Sequence, residues 1–214
     1  MMAEHPILFN SDMVRAILNN SKSQTRRIIE PEFAGKLIEY GYPDVQTGNW
    51  IDDNGLMVKC PYGKPGDALV VKEGYQILSG GDDRVVWGIY LADGAEFEIR
   101  LTKQAYGLWV KRKKPHAKTS GRFMYKSLAR LKPVVKSVRV ERVQDISEAN
   151  CIAEGIEEST VHGLPAFYLY DGRAHWTADP RESFQTIWDF INAKRGYGWD
   201  KNPWVWVIEF ERLT

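Results

Sequence analysis

An α+β architecture, a small mixed β-barrel or strongly bent sheet with helices at its mouth, is predicted by three observations on this sequence. Short runs of alternating apolar and polar residues recur along the chain with turn residues between them. One amphipathic helix stands near the start, and two more come late. Helices therefore do not alternate with strands as a parallel doubly wound sheet requires. The Gly-rich stretches GYGW and LSGGDD lack the strand-to-helix context of a phosphate loop.

The first helix is written in NSDMVRAILNNSK, where Met13, Val14, Ile17 and Leu18 fall on one face. The side chain of Asn10 or Ser11 is placed to cap its first turn, and it should end near Asn19 and Asn20. Between residues 31 and 54, Pro31, Gly35, Gly41, Pro43 and Gly48 predict loop with a little strand. LMVKCPYGKPGDALVVKEGYQIL reads as strand, a turn on Pro65, Gly66 and Asp67, and a second strand. A hairpin is expected from DRVVWGIYLADG and EFEIRL, turning at Ala92 to Ala95. LWVKRKKPHAKTSGR has no helical period and is expected to be a basic loop.

The clearest strand is KPVVKSVRVERVQDI, followed by a short helix capped by Ser147 and stopped at Gly155. DPRESFQTIWDFINAKRGYGW, with Asp179 as cap and Pro180 in the first turn, is the strongest helix. Its apolar face carries Phe184, Ile187, Trp188 and Ile191. NPWVWVIEFERL closes the chain as a strand with Trp204 and Trp206 on one face, packed in a core, while Trp199 is the tryptophan expected to be exposed.

At 214 residues the chain is expected to form a single domain, 1–214, with a sizeable core from its 43% hydrophobic content. No apolar run nears the ~18 residues of a membrane span, and no secretory signal is legible. The expectation is a soluble, cytoplasmic protein with no membrane partner. Cys60 and Cys151 match no metal spacing and the 4 His are scattered. Reduced, structural cysteines follow, with no metal and no cofactor.

The net charge of +1 conceals a segregation, since Arg100 to Arg142 holds 14 Lys or Arg and one acid, Glu141. The remainder has 15 basic and 27 acidic residues. A basic side is the footprint of a polyanionic partner, the alternative being a solubilising strand face. Lys111, Arg112, Lys113 and Lys114 are the candidates for nucleic-acid phosphate.

Four separated segments together resemble the ASCH domain family of the PUA-like superfamily of RNA-associated β-barrels. Lys22, Thr25 and Arg27 match a signature G-x-K-x-x-[E/T]-x-R, with Asn20 in the glycine's place. Asn tolerates the left-handed backbone there. KPGDALVVKE is similar to the family's Gly-Asp turn and charged strand, VERVQDISEANCIAEGI to its strand-then-helix unit, and WVWVIEFERL to its last strand. In QTRRI, CPYGKPGD and KRGYGWDKNPWVWVIEF the chain is similar to phage and prophage proteins of this type. Insertions relative to a minimal member are expected at about 31–54, 76–120 and 157–178.

The resemblance implies a PUA-like mixed barrel and a metal-independent amidohydrolase that removes acetyl from N4-acetylcytidine with a Lys, a Thr and a Glu. Those positions fall on Lys22, Thr25 and Glu154. A threonine hydroxyl attacks only as a base removes its proton, and a neutral lysine amine can be that base. Burial and the neighbouring charges of Arg26 and Arg27 would help Lys22 lose its proton, while Glu154 would oppose this. Glu154 would orient Lys22 or carry a proton to the leaving amine, and Arg27 or a backbone amide would stabilise the oxyanion. Arg26 is expected to point elsewhere. Lys22→Ala should abolish turnover without lowering the melting temperature.

Glu73 is a candidate to accept from a base amino group and Tyr75 to stack on the base, with Lys126 and Arg130 near a nucleotide's phosphate. Each has a plainer reading: cations at a helix end, exposed alternate residues of a strand, a solvated loop. Two other functions stay open. One is a non-catalytic module binding RNA or a modified base, and the other is a metal-independent ribonuclease. The partner in every case is a modified nucleoside or single-stranded nucleic acid, RNA before DNA.

Overall fold

The computed structural model describes residues 2–29, 42–44, 49–51, 57–81, 83–112, 114–170 and 175–212. It is a mixed α+β fold. A five-stranded sheet runs in the order β1 (Glu4–Leu8), β6 (Ala68–Lys72), β10 (Val134–Arg142), β14 (Trp204–Glu211) and β2 (Gln24–Ile28). β1 and β6 are parallel and the other pairs antiparallel, so strands distant in sequence meet at the centre. Three smaller antiparallel sheets join β3 (Tyr42–Asp44), β4 (Asn49–Ile51) and β5 (Met57–Lys59); β7 (Tyr75–Gly80), β8 (Val85–Tyr90) and β9 (Glu96–Arg100); and β11 (Glu158–Val161), β12 (Leu164–Tyr168) and β13 (Trp176–Thr177).

The period of two along β14 serves two cores. Trp206, Ile208 and Phe210 face a core with Val14 and Ile17 of helix α1 (Ser11–Leu18), together with Ile7, Phe9 and Leu69. Val205 and Val207 face the opposite core, built with α3 (Glu148–Ala153) and α4 (Pro180–Asn192) through Cys151, Phe184 and Trp188. Trp204 is half-buried, with the Arg142 guanidinium 4.3 Å from its ring centre. Trp199, expected to be exposed, is half-buried against Phe184, because its N–H donates to Asp189 Oδ1 at 2.7 Å.

Asn10, rather than Ser11, caps α1 by accepting from the Met13 amide at 2.9 Å. Ser147 and Asp179 cap α3 and α4 as expected. Cys60 and Cys151 are free and buried, and burial pushes both thiols up to about 12, so neither is a nucleophile at neutral pH.

Between 76 and 120 the expected hairpin forms, with β8 and β9 paired antiparallel, and the departure from expectation is a helix at the start of the basic loop. β7 to β9 and a further helix, α2 (Lys103–Val110), enclose a third core of Tyr75, Ile77, Val86, Leu101 and Trp109. The helix extends through Leu108 to Val110, which the sequence reading placed in the basic loop. Thr102 caps its start by accepting from Ala105, and the Trp109 ring N–H reaches Pro115 O at 2.8 Å. Only Ala105 and Trp109 are buried on it, too few to show a period. Lys113 and most of residues 31–54 lie outside the described residues. No helix among the described residues is long and apolar enough to cross a membrane.

Part of the basic segment is matched by acids, most of them from outside it. Lys126 and Lys132 pair with Glu4, Arg130 with Glu73 and Asp93, Lys136 with Glu211, and Arg139 with Glu141 and Glu209. Long-range pairing therefore accounts for part of the uneven sequence distribution, while Lys103, Lys118 and Arg122 are exposed with no acid partner among the described residues. Lys111 and Lys114 are exposed, and Arg112 is half-buried over Tyr125.

Candidate active site

β2 begins where α1 ends. Asn20 takes the left-handed backbone at φ 59, and the amides of Ser21 and Lys22 both donate to Ala16 O, at 2.9 and 3.1 Å. This turn delivers Lys22 to the end of α3, where it forms an isolated antiparallel bridge with Glu154. The Ser23 amide then donates to Ala153 O at 2.9 Å, fastening the strand's start to the same helix end.

Lys22 Nζ donates to Glu154 O at 2.6 Å and to Glu154 Oε2 at 2.8 Å. The first bond satisfies a carbonyl left open at the negative end of α3, and the second is an ion pair whose side chains are 1% and 7% exposed. Burial lowers the Lys22 pKa, Glu154 partly offsets that, and the charges of Arg27 and Arg26 add to the lowering.

Arg26 belongs to this network, contrary to the expectation that it points away. Its guanidinium donates to Glu154 Oε1 at 3.2 Å, Glu141 Oε2 at 2.9 Å and Gln24 Oε1 at 2.6 Å, while its buried Nε has no acceptor. The reason is the position of β2 at the sheet edge. Thr25 and Arg27 pair in register with Ile208 and Trp206 on the α1 side, and Arg26 pairs with Val207 on the α4 side. A cavity of about 550 Å³ wraps around that edge between α1, the end of α3 and α4. Residues of both faces therefore line it, including Lys22, Thr25, Arg26, Arg27 and Glu154. Its volume suits a small organic ligand.

Thr25 is 2% exposed, and among the described residues its hydroxyl makes no hydrogen bond to Lys22 or Glu154. Arg27 donates to Leu8 O at 2.8 Å and lies 5.0 Å from the Phe9 ring centre. Lys22 Nζ lies 5.8 Å from the same ring. Because β1 and β2 are the outer strands of the sheet, the Arg27 contact with Leu8 also bridges its two edges.

The remaining sequence candidates do not join this cavity. Glu73 is 1% exposed and held bidentately by Arg130 at 2.9 and 3.0 Å, leaving no room for a base amino group. Arg130 also grips Asp93 and stacks 4.0 Å from the Tyr90 ring centre. Burial works against its charge, but the hydrogen bonds it donates to Glu73 and Asp93 outweigh that and raise its pKa. Tyr75 is 0% exposed inside the third core, so it offers no face for stacking. Lys126 is tied to Glu4 at 2.5 Å. Lys111, Arg112 and Lys114 are likewise away from the cavity wall.

Sequence reasoning missed Arg26, Glu141, Arg195, Tyr62 and the α4 wall. Glu141 carried a signal, being the one acid in the basic segment. Among the described residues no three His, Cys, Asp or Glu gather to hold a metal ion. Comparison of the chain with protein families, curated proteins and solved structures finds no match.

Proposed function

We propose that the protein is a metal-independent amidohydrolase of ASCH type that removes the acetyl group from N4-acetylcytidine or a related modified pyrimidine. The observation carrying this is that Lys22, Thr25 and Glu154, named from the family resemblance, all line one cavity although Lys22 and Glu154 are 132 residues apart. The PUA-like barrel belongs to the same reading. In its support, the five-stranded sheet has its outer strands bridged at Arg27 and Leu8.

The chemistry follows from the donors. A neutral amine keeps two N–H groups, and two acceptors of Glu154 hold Lys22. The amine lone pair then lies in the remaining tetrahedral direction, free to take a proton from the Thr25 hydroxyl as that oxygen attacks the acetyl carbonyl. The N4–acetyl bond breaks, the leaving amine takes a proton from Lys22, and water releases acetate from the acyl-threonine. Glu154 positions Lys22 throughout. Arg26, clamped between Glu154 and Glu141, keeps a fixed positive charge beside the pair and favours the neutral amine.

Acetate release from N4-acetylcytidine by the purified protein, with and without chelator, tests the reading. Turnover that survives chelation and disappears in Thr25→Val supports it, whereas no turnover, or equal turnover in the variant, removes it. A second reading, a modified-base binding module, is favoured by the missing hydrogen bond between Thr25 and Lys22. It predicts binding of N4-acetylcytidine without release of acetate. A ribonuclease would instead cut RNA in chelator, which the same preparation reveals.

A further inference from the structure

Five cations line the cavity, and three of them are matched by carboxylates: Arg15 by Asp12, and Lys22 and Arg26 by Glu154. Arg27 and Arg195 have no carboxylate partner among the described residues. Arg27 spends one nitrogen on Leu8 O, and its buried Nε has no acceptor. Among the described residues Arg195, exposed just beyond α4, donates only to Asn192 Oδ1, at 3.2 Å. Both guanidiniums line the same cavity; burial lowers the Arg27 pKa, Tyr62 and Glu154 partly offset that, and the charge of Arg195 adds to the lowering.

Two like charges held at one cavity wall repel each other, and the arrangement becomes favourable when an anion with several acceptor oxygens lies between them. We propose that Arg27 and Arg195 form a phosphate subsite, so that the cavity takes a nucleotide, free or within a strand, in preference to a bare nucleoside. The base part of that ligand rests on the hydrolase reading above; the anion part rests on the two arginines. Lys22 Nζ and Arg27 Cζ lie 5.8 and 5.0 Å from the same Phe9 ring centre, so both cations stand on one stretch of the cavity wall. A ligand with its phosphate on Arg27 would place its base toward Lys22. Lys111 and Lys114, the phosphate contacts expected from sequence, are off the cavity wall and have no such relation to it.

The test compares binding of cytidine, cytidine 5′-monophosphate and a short single-stranded RNA to the full chain, with inorganic phosphate as competitor. Acetate release is measured in parallel from the N4-acetylated nucleoside, nucleotide and oligonucleotide. The nucleotide is expected to bind about 10-fold or more tighter than the nucleoside, the scale of charge-assisted hydrogen bonds to one group. Phosphate should compete, and Arg195→Ala, at an exposed position, should bring the preference close to unity. Tighter binding of the oligonucleotide than of the nucleotide assigns the phosphate to a strand, and equal binding assigns it to the free nucleotide. A wild-type preference near unity, no binding of either, or an undiminished preference in Arg195→Ala overturns the proposal. A nucleotide preference with no acetate released from any compound removes the hydrolase reading alone, and equal acetate release from nucleoside and nucleotide removes the phosphate subsite alone.

Discussion

Lys22 Nζ holds both the main-chain oxygen and the side-chain Oε2 of Glu154, so one lysine closes the end of α3 and neutralises a carboxylate that Arg26 also uses. Two buried cations therefore depend on one anion. Replacing that anion is costly because desolvated charge is left without its counter-charge. Glu154→Gln should lower stability by about 3 kcal/mol in urea denaturation at pH 7. Lys22→Met added to Glu154→Gln should recover part of the loss, since it removes one stranded charge. A single variant with an unchanged midpoint would contradict the pairing. Lys22→Ala, expected from sequence to leave the melting temperature alone, should lower it, because Lys22 is 3% exposed and paired.

The depressed Lys22 pKa has two consequences for pH dependence. For catalysis, the rate should rise with pH along a limb whose midpoint lies below 10.5, as the amine becomes the base. Lys22→Arg should lack turnover at every pH, since a guanidinium keeps its proton. For stability, the unfolded chain binds more protons than the folded one between the lowered pKa and the ordinary value of 10.5. Folding free energy from this residue therefore improves as pH rises through that window, and its burial cost is fully present below it. A kcat/KM profile and urea midpoints of wild type against Lys22→Met across alkaline pH check both. A flat profile in the first would place the amine outside the reaction, and no difference in slope in the second would contradict the lowered pKa of the buried amine.

Thr25→Val separates chemistry from folding. Its hydroxyl has no hydrogen bond among the described residues, so removing it strands no partner, and the midpoint should stay within about 0.5 kcal/mol of wild type. Turnover should fall on the order of 10³-fold or more, as when other hydroxyl nucleophiles are removed. Retained turnover would demand a different nucleophile.

Arg130 and Glu73 illustrate what sequence leaves hidden. Glu73 interrupts an apolar strand, a pattern that suits an exposed alternate residue or a site; its half-buried partner lies 57 residues away, beyond any local rule. By contrast, the Met13 to Leu18 face, the Asp179-Pro180 start of α4 and the alternation of Trp204 to Phe210 are local periodicities, and all three elements stand where they were expected. Lys22 and Thr25 were legible through the signature, and Glu154 only through the wider family resemblance. Arg26 was not, because only the edge position of β2 lets neighbouring residues on opposite faces line one cavity. Arg130→Ala should cost about 3 kcal/mol by leaving Glu73 buried and unpaired, with the specific activity of folded protein preserved. A large loss of activity at unchanged stability would return Arg130 to the site.

Gly155 sets how closely α3 approaches Lys22. It ends the helix at φ 92, and a Cβ there would meet Ala16 Cβ at 3.1 Å and Lys22 Cβ at 3.2 Å. Gly155→Ala combines left-handed strain, about 1 to 2 kcal/mol, with crowding of Lys22. Gly155→Asn separates the two, since Asn accepts this backbone region, as Asn20 does at φ 59, yet carries the same Cβ. The Asn variant should therefore be the more stable, while both lose turnover through displacement of Lys22. If Gly155→Ala folds as stably as wild type, the left-handed cap is not what holds the helix end. If Gly155→Asn keeps full turnover, the close approach of α3 to Lys22 is not needed for its chemistry.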